Sequence, residues 1–214
     1  FPTVCGSTDL TPYPAKAIFA FDNGEIWISS SGDKIAILEN GIQIDKFCLP
    51  SNVSMSINKM WGSSSNDLYV VGNARSIAHY KNGSWSKIES RTDLPLNDIW
   101  GIKINEQTKI LAIASDKYQI RDEKILSITT NTVTEISNIG LPWSLSCIWF
   151  NNFSKTFVGG DGFYTKYNIQ GYWNKIPLPL YYKFSIRGNR LNDIIVCGGL
   201  GYVGHFNGIS WINY

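Results

Sequence analysis

An all-β fold of β-propeller type, built from five four-stranded repeats, is predicted by three observations. One pattern recurs with a step of about 42 residues along nearly the whole chain. Within each copy the apolar residues come in runs of about four to six, and the breaks between runs are Asn-Asp, Gly-Asn, Asn-Gly or Gly-Gly turn signals. No segment shows helical periodicity.

The repeat is plainest in two copies. Trp61-Gly62-Ser63-Ser64-Ser65-Asn66-Asp67-Leu68-Tyr69-Val70-Val71-Gly72 leads to Ser76-Ile77-Ala78-His79-Tyr80 and Trp85. Arg187-Gly188-Asn189-Arg190-Leu191-Asn192-Asp193-Ile194-Ile195-Val196-Cys197-Gly198 leads, with no insertion, to Tyr202-Val203-Gly204-His205-Phe206 and Trp211. One step back from the first copy lie Ile26-Trp27-Ile28 and Ile35-Ala36. Between the two copies, Asn97-Asp98-Ile99-Trp100-Gly101 opens a further unit with a longer outer hairpin, and Cys147-Ile148-Trp149-Phe150 opens another containing Phe157-Val158-Gly159-Gly160. The five units span approximately 17–50, 56–95, 97–142, 144–179 and 181–214.

In the second unit the strands are expected at 56–61, 67–72, 76–81 and 84–89. Asn82-Gly83 and its counterpart Asn40-Gly41 are two-residue hairpin turns, since glycine tolerates the positive φ they need. A single such sheet cannot bury both faces, so copies must stack, and radial stacking gives a propeller. Residues 1–16, with Pro2, Pro12 and Pro14, match no unit and are either a linker or an added closing strand.

Composition narrows the function. The chain has 214 residues, 43% of them hydrophobic, enough for a substantial core. Lys and Arg number 19 against 17 Asp and Glu, a formal charge of +2, too balanced to capture nucleic acid. No run reaches the roughly 18 apolar residues of a transmembrane span; 194–204 is broken by glycines. The chain starts at Phe1 with neither an initiator Met nor a leader, as expected of a processed chain or a fragment of a longer one.

Cys5, Cys48, Cys147 and Cys197 are too far apart for a CxxC metal or redox motif. Cys147 and Cys197 fall in strand-like runs and read as small hydrophobes, while pairing of Cys5 with Cys48 is left open by the sequence.

The run from Trp61 to Ile88 resembles a family of bacterial propeller repeat proteins with units of the form WGSSxNDxYxVGxxGxIxHYNGxxWxKI. The resemblance covers 17–214 and is sharp in the second and fifth units. It implies an exported, surface or lipoprotein-like parent, and either a five-bladed ring or part of a six- to eight-bladed one. It supplies no catalytic residue. More distantly, the Gly-x-Ile-x-His pattern is similar to photosystem assembly factor propellers, which are binding scaffolds.

Several sharper motifs reduce to structure. Gly199-Leu200-Gly201-Tyr202-Val203-Gly204 fits GxGxxG, but strand and turn sequence follows where a dinucleotide site needs a helix, so it reads as a hairpin loop. His79 and His205 share one repeat position, filled by Ile37 in the first unit and read as Lys166 in the fourth, and are expected to be structural. Asn66-Asp67 and Asn192-Asp193 suit turn chemistry. Trp61, Trp100 and Trp149 share one position, Trp85, Trp173 and Trp211 another, and both sets are expected to pack between sheets. The sequons at Asn52, Asn82 and Asn152 matter only in a eukaryotic secretory route.

The expected ligand surface is the loop-rich end, where the turns between second and third strands meet the links between units. It gathers Asp33, Arg75, Asp116, Asp161 and Tyr202 from turns with Trp143 and Tyr181 from links. No metal or cofactor is expected. The first functional expectation is a non-enzymatic scaffold for a protein partner; the others are a carbohydrate-binding propeller and, last, a glycoside hydrolase using paired carboxylates.

Overall fold

Asn40 and Gly41 take φ of 50° and 78°, and Asn82 and Gly83 take 47° and 84°, so both Asn-Gly pairs form tight two-residue turns. These turns close hairpins in a computed structural model that describes residues 15–30, 32–73, 75–116, 123–130, 132–142, 144–168 and 171–214. Cys5, Trp143 and nearly all of the expected linker 1–16 lie outside the described residues. Cys48 is disulfide-bonded, whereas Cys147 and Cys197 are free thiols, the first buried and the second exposed.

The strands form five antiparallel sheets, each with its four members in chain order. The first holds β1 (Ala17–Ala20), β2 (Glu25–Ser29), β3 (Lys34–Glu39) and β4 (Ile42–Cys48). The second holds β5 (Ile57–Ser64), β6 (Asp67–Gly72), β7 (Ser76–Lys81) and β8 (Ser84–Glu89). β9 (Leu96–Ile104), β10 (Gln107–Ala114), β11 (Lys124–Ile128) and β12 (Val133–Ile136) make the third. The fourth comprises β13 (Leu145–Trp149), β14 (Lys155–Gly160), β15 (Gly162–Tyr167) and β16 (Asn174–Lys175). The fifth comprises β17 (Lys183–Arg190), β18 (Asp193–Gly198), β19 (Val203–Phe206) and β20 (Trp211–Asn213), with a 3-10 turn at Gly199–Gly201 before β19. The main extra length of the third sheet falls between β10 and β11, not in the outer hairpin where the sequence placed it.

The described residues fall into two compact units: those up to Ile99 with Thr132 and Val133, and those from Trp100 onward except these two. In the first unit, Trp27, Ile35 and Ile37 of the first sheet pack on Met60, Leu68, Val70 and Ala78 of the second. The second unit has two such layers. Leu111, Ile113 and Ile125 meet Ile148, Val158 and Tyr164, and Phe157, Phe163 and Trp149 meet Ile186, Ile194 and Val196. In each layer the odd-numbered side of one strand set faces the even-numbered side of the next sheet in sequence, as period-two alternation requires.

Two glycine positions show why the repeat keeps its spelling. β5, β13 and β17 each begin with a register shift, at Ile57/Lys59, Leu145/Cys147 and Lys183/Ser185. The partners of these bulges are Gly72, Gly160 and Gly198, where a Cβ would lie 2.1 Å from the Ser56 carbonyl, 2.2 Å from that of Ser144 and 2.7 Å from that of Tyr182. Gly62 and Gly188, the second letters of the two best copies, receive aromatic rings from the preceding sheet: Phe21 at 2.8 Å and Trp149 at 3.0 Å from the position a Cβ would take.

The tryptophans behave as the repeat predicts. Trp61, Trp149 and Trp173 are buried, and Trp85, Trp100 and Trp211 are partly so. Trp100 donates from Nε1 to the Phe150 carbonyl at 2.8 Å, and the Arg187 guanidinium lies 4.6 Å from its ring. Arg187 thus takes the repeat position of Trp61 and Trp149 and joins the aromatic layer as a cation over a ring.

Candidate functional site at the loop-bearing end

The site is clearest where the fourth and fifth sheets meet in the second unit. Leu180 and Tyr181 lie on the link entering β17, and Tyr181 rests on Tyr202 with ring centroids 5.6 Å apart. Tyr202 follows the 3-10 turn whose middle residue, Leu200, has φ 56°. That strained turn aims an apolar side chain at solvent: Leu200 is 93% exposed and Leu180 90%. Asp161, exposed between β14 and β15, donates from its backbone N–H to the Ser144 carbonyl at 2.9 Å.

Beneath this rim is a buried polar layer. Ser144 Oγ and Tyr182 Oη share a hydrogen bond of 2.9 Å. Ser115 Oγ bridges the backbone of Leu145, 3.0 Å from both its N–H and its carbonyl. Lys183, buried, donates from Nζ to the Pro179 carbonyl at 2.6 Å and to the Tyr181 carbonyl, while its ammonium lies 4.8 Å from the Tyr202 ring centroid. Burial pushes that ammonium below the ordinary lysine range, countered in part by Cys147 and Asp161. Burial likewise raises the Tyr182 phenol, offset in part by hydrogen bonds to Ser144 and Ser146. The consequence is positional: Lys183 ties down the two carbonyls that bracket Leu180, fixing how the link presents Leu180 and Tyr181.

The structure therefore brings Asp161, Tyr181 and Tyr202 together. Tyr202 contributes from inside, because its ring is buried and its Oη donates to Asn213 Oδ1 at 2.8 Å, so it supports Tyr181 instead of facing solvent as a loop residue. Asp116 is half-buried just after β10, next to the Ser115 that grips Leu145. Asp33 and Arg75 belong to the other unit. The Asp33 carboxylate accepts from Ser54 Oγ at 2.7 Å and its carbonyl from Leu49 N–H at 3.0 Å, which makes it a tie for the 49–54 turn. Arg75, exposed with φ 60°, offers its carbonyl to Ser90 Oγ.

Sequence reasoning missed Leu180, Leu200, Tyr182 and Lys183. Lys183 had a signal: it holds the register position of Ile57 and Leu145, both fully buried, so the repeat puts an ammonium in an apolar slot. The two histidines also acquire partners that the sequence had assigned only to turns. His79 Nε2 lies 2.8 Å from Asp67 Oδ1, and His205 Nε2 lies 2.9 Å from Asp193 Oδ1. In the fourth sheet Thr165, not Lys166, pairs with Phe157 as His79 pairs with Tyr69. Lys166 instead takes the place of Tyr80, 5.4 Å from the Trp173 ring centroid, and both Lys166 Nζ and Trp173 Nε1 donate to the Ser137 carbonyl. Among the described residues, no group of three or more His, Cys, Asp and Glu is placed to hold a metal, and no helix is long and apolar enough to cross a membrane.

No protein-family model and no curated protein matches the chain. Solved structures do. A streptogramin B lyase superimposes with TM-score 0.74 at 17% identity, over 94% of this chain and 68% of that one. Virginiamycin B lyase from Staphylococcus aureus gives 0.72 at 16%, over 94% and 69%. YCF48 bound to D1 peptide gives 0.68 at 13%, over 100% and 69%. Identities this low establish the fold alone: the chain is a β-propeller protein whose five sheets are five blades.

Proposed function

We propose that the chain is a binding scaffold without catalysis of its own, which holds a peptide segment of a protein partner on the rim formed by Leu180, Tyr181, Leu200 and Asp161. The observation that carries this reading is the pair of nearly fully exposed leucines flanking an aromatic that is itself held in place, Tyr181 on Tyr202 with Lys183 behind. Exposed apolar groups gathered beside a fixed aromatic offer a partner contact area, and a pre-positioned aromatic contributes that area with little ordering cost. Asp161 at the edge suits a partner carrying a Lys or Arg. The structural likeness to YCF48 bound to D1 peptide supports a peptide ligand on this fold.

The parent is read as an exported bacterial protein of the repeat family that the Trp61 to Ile88 motif resembles. The disulfide at Cys48 supports an oxidising compartment.

The test is a peptide-library selection on the 214-residue chain, followed by calorimetry of the best binder. Tyr181→Ala and Leu200→Ser are each expected to weaken binding about tenfold or more, in line with loss of an anchor side chain. Asp161→Asn should lower affinity for basic peptides selectively. Binding confined to a glycan array and lost in Tyr181→Ala would replace this reading with the carbohydrate one. Turnover of aryl glycosides, or no ligand on this rim, would overturn it.

A further inference from the structure

Equivalent faces of the blades have unequal cover. In blade 1 the face carrying Trp27, Ile35 and Ile37 is closed by blade 2, and in blade 4 the face carrying Cys147, Phe157 and Phe163 is closed by blade 5. Pairing defines the matching positions in blade 5: Ser185 with Cys197 and Val203, and Arg187 with Ile195, His205 and Ile212. Phe157 is 2% exposed, whereas Ile195 at its position is 46% exposed. Ile212 is 41% and Tyr214 74% exposed, and Cys197 is exposed between them and the bulge that carries the exposed Phe184. Tyr214 is already in the sheet, its N–H donating to the Val203 carbonyl at 2.8 Å.

We propose that this face of blade 5 is the docking surface for a further four-stranded blade of the same repeat, supplied by the same polypeptide after Tyr214. Three features commit the occupant. The face is the continuation of an interface already built three times in the molecule, with Ile195, Cys197 and Val203 at the positions of Phe157, Gly159 and Phe163, which are buried in blade 4. At all three interfaces the covering sheet is the next one in sequence, presenting Met60, Val70 and Ala78, then Ile148 and Val158, then Ile186, Ile194 and Val196. The lyase structures that superimpose on 94% of this chain contain it as only 68–69% of their length, room for further blades on the same architecture. An apolar sheet face left to water is an aggregation liability that repeat architectures remove by stacking another copy.

Cys197 reports the state of this face and Cys147 serves as the buried control. Maleimide labelling of the 214-residue chain should modify Cys197 rapidly and spare Cys147. In a chain extended through the residues encoded after Tyr214, labelling of Cys197 should slow by about a hundredfold or more, as expected when a site reacts only through opening of a packed layer. Ile195→Asp should restore fast labelling in the extended chain. Equal Cys197 rates in the two chains, or a coding sequence with no repeat unit after Tyr214, would overturn the proposal. Sedimentation of the 214-residue chain separates the other occupant: a dimer that protects Cys197 and dissociates in Ile195→Asp would assign the face to a second copy, against a blade in cis. Peptide binding at the Tyr181 rim is independent of all these outcomes.

Discussion

Blades 2 and 5 carry the sharpest copies of the repeat, and their local chemistry is the same while their energetics differ. Both join an Asp on the second strand to a His on the third, at 2.8 Å and 2.9 Å. In blade 2 the His79 ring is buried and stacks on Tyr69 with centroids 4.0 Å apart and planes 9° apart, and Tyr69 in turn stacks on Trp61 at 6.2 Å. In blade 5 Ile195 and Arg187 hold the places of Tyr69 and Trp61, and His205 and Asp193 stay partly in water, with side chains 31% and 44% exposed. A shared motif therefore fixes a hydrogen bond but not its worth. That depends on how far the pair is withdrawn from water: the His79 side chain is 4% exposed and that of His205 31%.

The largest expected effect is in blade 2. Tyr69→Ala removes a buried ring from the Trp61–Tyr69–His79 stack and should cost about 3–5 kcal/mol in urea unfolding, the range for truncating a buried aromatic. Next comes the bulge. Gly72→Ala drives a Cβ to 2.1 Å from backbone and should cost about 3 kcal/mol or prevent folding, whereas Gly198→Ala, at 2.7 Å, should cost about half as much. Equal losses would mean that the two bulges are held alike in spite of the difference in approach distance.

A third effect depends on pH. Lys109 Nζ is buried between blades 3 and 4, donating to the Phe153 carbonyl and Thr156 Oγ1, and burial lowers its pKa to about 8 from an ordinary 10.5. Between these values the unfolded chain binds more protons than the folded one, so stability rises with pH from about 8 to 10.5. Above pH 10 Tyr69 works in the opposite sense, because burial with Asp67 nearby raises its phenol to about 12 and the unfolded chain ionises first. Lys109→Met should flatten the rise between pH 8 and 10 in thermal melts while leaving the fall above it. The smallest effect returns to blade 5: His205→Ala should change stability by no more than about 0.5 kcal/mol, as for an exposed substitution.

The fold was legible because its determinants are local and recur. Asn82-Gly83 fixes a turn by backbone preference alone, and the apolar run from Leu68 to Val71, bounded by turn residues and buried throughout, marks a strand without tertiary knowledge. The site was less legible because its members are chosen by what lies over them. Tyr202 reads as a loop aromatic, yet it is buried by a bond to Asn213 and the ammonium of Lys183. Leu200 reads as an ordinary loop letter, and only the turn conformation at φ 56° shows that it projects outward. Lys183 was within reach, since aligning it with Ile57 and Leu145 exposes a charge in an apolar column.

The most direct measurement is urea unfolding of the 214-residue chain carrying Phe157→Ala or Ile195→Ala, a matched pair at one repeat position. Covered by blade 5, Phe157 should cost about 3–5 kcal/mol on truncation. Ile195, on the open face, should cost less than about 1 kcal/mol. Comparable losses at the two positions, or a larger one at Ile195, would contradict blades that are stabilised by the sheet that follows them.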